Sequence, residues 1–259
     1  MNLLVSTKHR VLHIVLNRPE KRNALSLDMC TGISTAVGHA QDEQDVGSVM
    51  ISASGTVFCS GMDLDEVRYL NEEQLAAAHE ILFSIGSQSV KPIIVAVNGA
   101  ALGGGLGLVA QGHVVLAAEG ATFGLPEIRV GLWPFMVYRS VEAALGGRRT
   151  LELSLTGQSF NADQACSWGL VHRVCPGEEI GDRSKALARE LAKASPLALQ
   201  AGMQFVRDSA GKSWTEAGKL AAASREQLMK SPDFVEGCVA FKERREARWP
   251  SMRPSFYSK

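Results

Sequence analysis

The stretch VNGAALGGGLGLVAQG, residues 97–112, continues the apolar run PIIVAV and holds six glycines but no charged side chain. A β-branched apolar run that ends in Asn-Gly is typical of a buried strand that meets a turn. Three interpretations of the glycines compete: a membrane-spanning helix, a loop that binds nucleotide phosphates, and a turn whose backbone amides contact a ligand.

The membrane interpretation fails on helix propensity. Residues 93–110 are long enough for a span, and Gly99 to Gly103 spells GxxxG. Each glycine costs about 1 kcal/mol in a helix relative to alanine. No basic or aromatic belt flanks the run apart from Lys91. We therefore expect no membrane association.

The dinucleotide interpretation fails on spacing. Gly105, Gly107 and Ala110 fit the relaxed fingerprint GxGxxA, which needs a helix of several turns and then a second strand. The next strand-like run, HVVLAA, already begins at His113. The full P-loop signature GxxxxGK[ST] does not occur in the sequence: the tripeptide GKS at 211–213 has Val206 where the first glycine is required. A phosphate-binding glycine loop is thereby set aside.

The composition favours a globular α/β protein without a polyanionic partner. The 259 residues are 46% apolar and 21% charged, with a formal net charge of zero. Nucleic-acid-binding proteins usually carry a basic excess, so we expect no nucleic-acid partner. The five cysteines form no CxxC pair, which argues against a zinc site and a disulfide framework. With no secretory signal in MNLLVSTKHR, these features predict a cytoplasmic protein without a bound metal.

Strands and helices alternate in the first part of the chain, residues 1–195. The apolar pattern predicts a hairpin over 4–17, a Ser26-capped helix to about residue 40, and a helix over 71–87. This alternation is typical of a parallel-rich α/β core covered by helices.

Beyond Pro196 the strand signals stop. Three amphipathic helices are predicted over about 197–209, 213–230 and 232–246. We interpret residues 196–259 as a helical region for oligomerisation.

The third interpretation of the glycine stretch fits acyl-transfer and enolate chemistry. Such chemistry needs two backbone N–H groups aimed at one oxyanion, each worth roughly 3 kcal/mol in the transition state. A backbone can approach a ligand that closely where side chains are absent, as at residues 103–105. The segment FCSGMDL, residues 58–64, is the natural source of the second donor.

Five segments in this order resemble the enoyl-CoA hydratase/isomerase family, also called the crotonase superfamily, along essentially the whole chain. They are LNRPEKRNALS (16–26), VFCSGMDL (57–64), VNGAALGGG (97–105), ATFGLPEIRVGL (121–132) and LTGQSFNADQACSWGLVHRV (155–174).

The resemblance implies a fold and an assembly: a spiral of ββα units with a C-terminal helical trimerisation region, assembled as a homotrimer or a dimer of trimers. It implies an acyl-CoA thioester as the substrate, so that coenzyme A is part of the substrate and no separate cofactor is expected.

The resemblance also implies roles for particular residues. Met62 and Gly104 would give the two oxyanion N–H groups, and Glu127 would be the acid/base. The residues expected to bind the substrate are Arg22, Ala24, Ser60, Gly61, Asp63, Leu64, Gly103, Gly105, Gly107, Trp133, Phe135, Met136 and, toward a CoA phosphate, Arg244. Among these, Trp133, Phe135 and Met136 are expected to supply apolar walls near Glu127.

One position departs from the two-glutamate hydratases of the family. Their second glutamate lies two residues after the glycine triplet, where this chain has Gly107. Syn addition of water is served by two carboxylates, whereas one suffices to move a proton from C2 to C4 of a 3-enoyl thioester. Double-bond isomerisation with Glu127 alone is therefore slightly favoured. Hydration of a 2-enoyl-CoA stays open, as does a CoA-thioester-binding protein without catalysis.

Overall fold

The structure, a computed structural model, describes residues 1–67 and 69–252. The strands are β1 (Leu3–Lys8), β2 (Val11–Leu16), β3 (Ser48–Ala53), β4 (Val57–Cys59), β5 (Ile93–Val97), β6 (Ala100–Leu102), β7 (Val114–Ala118), β8 (Thr122–Gly124), β9 (Ser159–Asn161) and β10 (Arg173–Cys175). The helices are α1 (Leu27–Asp42), α2 (Leu64–Val67), α3 (Glu72–Leu82), α4 (Ile85–Gln88), α5 (Gly104–Val109), α6 (Phe135–Leu145), α7 (Gly147–Thr156), α8 (Ala162–Ser167), α9 (Ile180–Ala192), α10 (Pro196–Ser209), α11 (Trp214–Met229) and α12 (Pro232–Glu243).

Two sheets are built alternately as the chain advances. The six-stranded sheet has the order β1-β2-β3-β5-β7-β10 and is parallel except for the β1–β2 hairpin. The four-stranded sheet has the order β4-β6-β8-β9. Thus β3 is followed by β4, β5 by β6 and β7 by β8, each pair placing one strand in each sheet before helices intervene. This repetition is the predicted spiral of ββα units.

The hydrophobic core explains why the central strands are so apolar. Every residue of β5 is buried, as expected for a parallel strand that is covered on both faces. One apolar cluster fills the space around α1, β5 and α5, and a second lies beneath α9, which packs on β3 and β5. The stretch that had the length of a membrane span forms β5, β6 and α5 instead. No described helix, in 1–67 or 69–252, is long and apolar enough to cross a membrane.

One predicted helix is wrong in its extent. The helix expected over 71–87 ends at Leu82, and a separate turn, α4, begins at Ile85. Phe83 leaves the helix with its side chain buried in the core, and the Ser84 hydroxyl donates to the Ile81 carbonyl oxygen. This break places the Phe83 ring beside the glycine stretch.

The predicted C-terminal helices are confirmed to within a few residues. The helix predicted to reach 246 ends at Glu243, because Arg244 adopts a left-handed conformation with φ 54°. Throughout α10 and α11, all of whose residues are described, no side chain is fully buried, and Trp214 is 94% exposed. This region adds little to the core; its role in oligomerisation stays a prediction.

Candidate active site

Three segments leave the carboxyl ends of adjacent parallel strands in the smaller sheet. Residues 60–62 follow β4, residues 103–104 follow β6, and residues 125–127 follow β8. Because neighbouring parallel strands end at one edge of a sheet, the three segments meet there. The two glycine turns and the candidate acid/base are thereby brought together.

The glycine turn has a conformation that only glycine adopts readily. Gly103 has φ 53° and ψ −118°, a region that is strained for any residue with a Cβ. Its N–H donates to the Gly124 carbonyl oxygen at 2.9 Å, while its own carbonyl accepts from Gly107 N–H at 3.0 Å. The N–H of Gly104, the first residue of α5, has no hydrogen-bond partner in the described part of the chain.

The second turn presents an amide beside the first. Leu25 and Met62 form an isolated parallel bridge, in which Leu25 N–H donates to the Gly61 carbonyl and Asp63 N–H donates to the Leu25 carbonyl. This register leaves the Met62 N–H without a partner among residues 1–67 and 69–252. A Cβ on Gly61, which has φ 102°, would stand 3.5 Å from the Gly104 nitrogen. The two unpartnered amides therefore lie on closely apposed backbones.

Glu127 presents a carboxylate to the same place. It lies in a short 3-10 turn, Pro126–Val130. A Cβ on Gly103 would stand 2.9 Å from its Oε1 atom, and its Oε2 atom is buried with no hydrogen-bond partner among the described residues. Burial raises the pKa of this carboxyl above its usual range, because the charged form loses its hydration. An unpaired carboxylate in an apolar surrounding is suited to proton transfer.

Gly107 occupies the position of the second glutamate in two-glutamate hydratases. The space beside it is filled by side chains from other segments of the chain. A Cβ there would lie 2.4 Å from Val137 Cγ1 and 2.9 Å from Phe83 Cε1. No space for a carboxylate side chain exists at this position. Gly105 is similarly enclosed, since its Cβ would meet the Cys59 carbonyl oxygen at 2.3 Å. Both glycines are thus required by packing, and contact of their backbones with substrate stays a prediction.

A partly buried relay of hydrogen bonds holds α6 against this site. The Gln111 side chain accepts from Gly86 N–H at 2.9 Å and donates to Ser140 Oγ at 2.7 Å. Ser140 Oγ in turn donates to the Phe83 carbonyl at 2.9 Å. The relay fixes the helix that carries Val137 and the break that carries Phe83. Gln111 and Ser140 were not predicted; nothing in their local sequence marks them.

The expected aromatic wall is only partly formed. Trp133 is half-buried and stacks on Tyr138, with 6.3 Å between ring centroids, and Met136 packs against the core. Phe135 corrects the expectation: as the first residue of α6 it is 71% exposed, so it contributes no buried wall in this chain. Tyr138 instead stacks on Trp133, and the Phe83 ring lies beside Gly104 and Gly107. Neither Tyr138 nor Phe83 was predicted.

The predicted CoA-binding loops lie side by side. Arg22 has a left-handed backbone and accepts a hydrogen bond from Ser60 N–H at 3.0 Å, next to the buried Ala24. Asp63 pairs with Arg18 at 2.5 Å, and Leu64, the first residue of α2, is exposed. These loops border a polar cavity of about 320 Å³. Its lining includes Asn2, Arg18, Lys21, Asp28, Asp63 and Asp65.

Arg244 caps the C-terminus of α12 with an exposed side chain, and within one chain the structure does not join it to these loops. Its contact with a CoA phosphate stays a prediction. The described residues contain no group of histidine, cysteine, aspartate and glutamate side chains that could hold a metal ion.

The fold and the paired turns define an α/β protein with a glycine-built site at the carboxyl edge of a parallel sheet. A family model described as enoyl-CoA hydratase/isomerase matches residues 6–252. The chain belongs to this family, the crotonase superfamily predicted from the five segments.

Individual relatives agree with that assignment. The chain is 34% identical to a probable mitochondrial enoyl-CoA hydratase of Dictyostelium discoideum, covering 93% of this chain and 88% of the relative. It is 35% identical to the 2,3-dehydroadipyl-CoA hydratase of Escherichia coli, covering 94% and 96%. The crystal structure of an enoyl-CoA hydratase from Bacillus anthracis superposes with a TM-score of 0.89 at 28% identity, covering 97% of this chain and 100% of that one.

Proposed function

We propose that this protein binds an enoyl-CoA thioester, holds its carbonyl oxygen between the Met62 and Gly104 N–H groups, and moves a proton with Glu127 alone. The proposal rests mainly on the Glu127 carboxylate. Its Oε2 atom is buried and lacks a partner among the described residues, and its Oε1 atom lies against Gly103, the residue before one of the two unpartnered amides. Binding of the CoA portion is assigned to the loops around Arg22 and Met62.

Two N–H donors and a single carboxylate are best suited to the conversion of a 3-enoyl-CoA into a 2-enoyl-CoA. Glu127 removes a proton from C2, and the electron pair moves into the thioester as a dienolate. The negative oxygen is stabilised by the two N–H groups, which need no reorganisation because the turns are already rigid. The protonated Glu127 then returns its proton to C4, and the carboxylate is regenerated.

The packing at Gly107 supports a single-carboxylate mechanism. Val137 and Phe83 occupy the space that a second glutamate side chain would need. A water molecule held between two carboxylates, as in two-glutamate hydration, has no second carboxylate to bind at this position. Gly107 is thus interpreted as part of a repacked site rather than the loss of one side chain from an otherwise unchanged pocket.

Hydration of a 2-enoyl-CoA is the second candidate function, and the names of the relatives favour it. The relatives from Dictyostelium and Escherichia coli both carry hydratase names. For this chain, hydration would require Glu127 to activate a water whose other hydrogen-bond partners are backbone groups. A CoA-thioester-binding protein without turnover is the remaining alternative.

The test is to offer a 3-enoyl-CoA and, separately, a 2-enoyl-CoA, following the absorbance of the conjugated thioester. We expect the absorbance to rise with the 3-enoyl substrate for wild type and to stay constant for Glu127→Gln. Glu119→Gln, at an exposed glutamate on another turn, is the matched control and should behave as wild type. Falling absorbance with the 2-enoyl substrate alone would establish hydration. Binding without either signal would support the non-catalytic alternative.

The sparsely buried α10 and α11 are assigned to contacts between subunits of a homotrimer or a dimer of trimers. A cytoplasmic location and independence from metal ions stay predictions.

A further inference from the structure

The direction of the Met62 N–H is set by the peptide unit that contains it. The Gly61–Met62 peptide is trans, so its C=O and its N–H point in opposite directions. The Gly61 carbonyl oxygen accepts from Leu25 N–H at 2.8 Å. The Met62 N–H therefore faces away from Leu25, and a rotation of the Leu25 peptide would turn it.

One guanidinium nitrogen contacts both segments that meet at this hydrogen bond. Arg18 Nη1 donates to Asp63 Oδ2 at 2.5 Å and lies 3.5 Å from the Ala24 carbonyl oxygen. The Ala24 carbonyl belongs to the same peptide unit as the Leu25 N–H, and Asp63 is the residue after Met62. Arg18 thus joins the two segments on either side of the bond that orients the Met62 amide.

The Asp63 carboxylate is buried, and both of its oxygens are engaged within the chain. The residue is 6% exposed, and its Oδ1 atom accepts from Asp65 N–H at 3.1 Å and from Glu66 N–H at 3.4 Å. Burial alone would raise the pKa of this carboxyl, but the hydrogen bonds from Arg18 and from the two N–H groups hold that pKa below its usual range. The carboxylate is charged at neutral pH, so removing Arg18 leaves a buried charge without its counterion.

The loop that carries Arg18 is anchored by other bonds as well. Asn23 is fully buried and donates to the carbonyl oxygens of Ser54 at 2.9 Å and Val57 at 2.8 Å. Its Oδ1 atom accepts from the Arg18 backbone N–H at 2.8 Å. These bonds do not involve the Arg18 side chain. A substitution at Arg18 should therefore leave the loop attached and disturb mainly the contact between residues 24–25 and 61–63.

We propose that Arg18 is a positioning residue for the oxyanion site: through Asp63 and the Ala24 carbonyl it holds the Leu25 peptide, and with it the direction of the Met62 N–H. The side chain of Asp63, expected from the sequence to bind substrate, takes part in the same pair. The inference rests on the proposed function for the use of the Met62 N–H by the thioester oxygen.

The infrared stretch of a bound thioester carbonyl tests this without turnover. The ligand is hexanoyl-CoA labelled with ¹³C at its carbonyl carbon. Hydrogen bonds from two well-aimed N–H groups weaken the C=O bond and lower its frequency, whereas a misdirected donor lowers it less. A structural role of Arg18 elsewhere in the loop would leave this frequency unchanged.

The variants compared are Arg18→Met, Arg18→Lys, Asp63→Asn and the double variant of Arg18→Met with Asp63→Asn. The control is Arg183→Met, which breaks an exposed ion pair with Glu179 at the start of α9 and should match wild type. The kcat for a 3-enoyl-CoA and the dissociation constant of hexanoyl-CoA are measured on the same samples.

The expected result is a loss in kcat with little loss in binding. Arg18→Met should move the carbonyl frequency toward that of the free thioester and lower kcat by about tenfold, with the hexanoyl-CoA dissociation constant within about twofold of wild type. Arg18→Lys keeps the charge and should recover part of both effects. Asp63→Asn should resemble Arg18→Met, and the double variant should lose little more than either, because the two side chains act as one unit.

An unchanged carbonyl frequency in Arg18→Met would overturn the inference. A loss confined to the dissociation constant would also overturn it and would make Arg18 a contact for CoA instead. Should Arg18→Met not fold, Arg18→Lys decides: a frequency and kcat equal to those of wild type would contradict the inference.

The same experiment separates this inference from the proposed function. A wild-type frequency shift that is lost in Arg18→Met, in a protein that does not isomerise a 3-enoyl-CoA, would keep the inference and reject the proposed reaction. A wild type that binds hexanoyl-CoA without any frequency shift would reject both.

Discussion

The Glu127 carboxylate rests on the bare face of Gly103: a Cβ added to that glycine would stand 2.9 Å from Oε1 and 3.5 Å from the carboxyl carbon. The residue that shapes the oxyanion turn therefore also makes room for the acid/base. Glycine is required at position 103 for two reasons. Its φ of 53° is strained for any residue with a Cβ, and a Cβ would collide with the Glu127 carboxylate.

Gly103→Ala should abolish most activity and also destabilise the protein. The methyl group displaces Glu127, and misplacement by about 1 Å can cost on the order of 100-fold in rate. The strained backbone adds a loss of about 1–3 kcal/mol in the free energy of unfolding. Steady-state kinetics and thermal denaturation measure the two effects. Gly120→Ala, which meets open space at an ordinary φ, is the control and should leave both unchanged.

Gly107→Glu should not convert the protein into a two-glutamate hydratase. The new side chain collides with Val137 and Phe83, and overpacking together with a buried charge destabilises a core by several kcal/mol. We expect a lowered melting temperature and no gain in hydration of a 2-enoyl-CoA. Gly38→Glu, on an open face of α1, should fold normally. A stable Gly107→Glu variant with faster hydration would contradict the repacked-site interpretation.

The pH dependence of turnover should report the raised pKa of Glu127. Proton removal needs the carboxylate, so kcat/KM rises with pH through the pKa of this group in the free enzyme. Burial places that pKa above the ordinary glutamate value of about 4.3. A profile of kcat/KM for a 3-enoyl-CoA should therefore have its acid limb above that pH. An acid limb of the kcat/KM profile near pH 4.3, the ordinary pKa of glutamate, would show that water solvates the Glu127 carboxylate.

The same burial predicts that Glu127→Gln is more stable than wild type at neutral pH. The folded state holds the Glu127 proton to a higher pH than the unfolded chain does, so stability falls as the pH rises from the unfolded pKa through the folded one. Denaturant unfolding near neutral pH should favour the glutamine variant, and this advantage should shrink at a pH below about 4.3. Glu119→Gln should follow wild type at both pH values.

Ser140→Ala should weaken the framework of the site without touching the substrate. Removal of the Ser140 hydroxyl leaves the Gln111 amide and the Phe83 carbonyl without their shared partner. This should lower the free energy of unfolding by about 1–3 kcal/mol. Denaturant unfolding measures this loss, and a smaller fall in kcat should accompany it as α6 loosens. The exposed Ser167→Ala, whose hydroxyl bonds only within α8, should change stability by less than about 0.5 kcal/mol.

Much of this architecture could be predicted from local sequence. The hairpin over 4–17, the Ser26 cap and the three C-terminal helices follow from apolar spacing and capping residues, and the structure confirms them. The order of the glycine turns and PEI segment was enough to indicate the family.

The features that sequence could not supply depend on contacts between distant segments. The break at Phe83 overrides a good helical pattern because the ring packs beside Gly107. The relay from Gln111 through Ser140 joins residues 25 to 57 positions apart and has no local signal. The exposure of Phe135 likewise depends on its place as the first residue of α6, which the local sequence does not mark.

The most direct test of the central claim is a product analysis by proton NMR after the protein is incubated with a 3-enoyl-CoA. The single-carboxylate account predicts a 2-enoyl-CoA as the first product, formed by wild type and not by Glu127→Gln. A 3-enoyl-CoA that stays unchanged, while the same sample converts a 2-enoyl-CoA into a 3-hydroxyacyl-CoA, would contradict it.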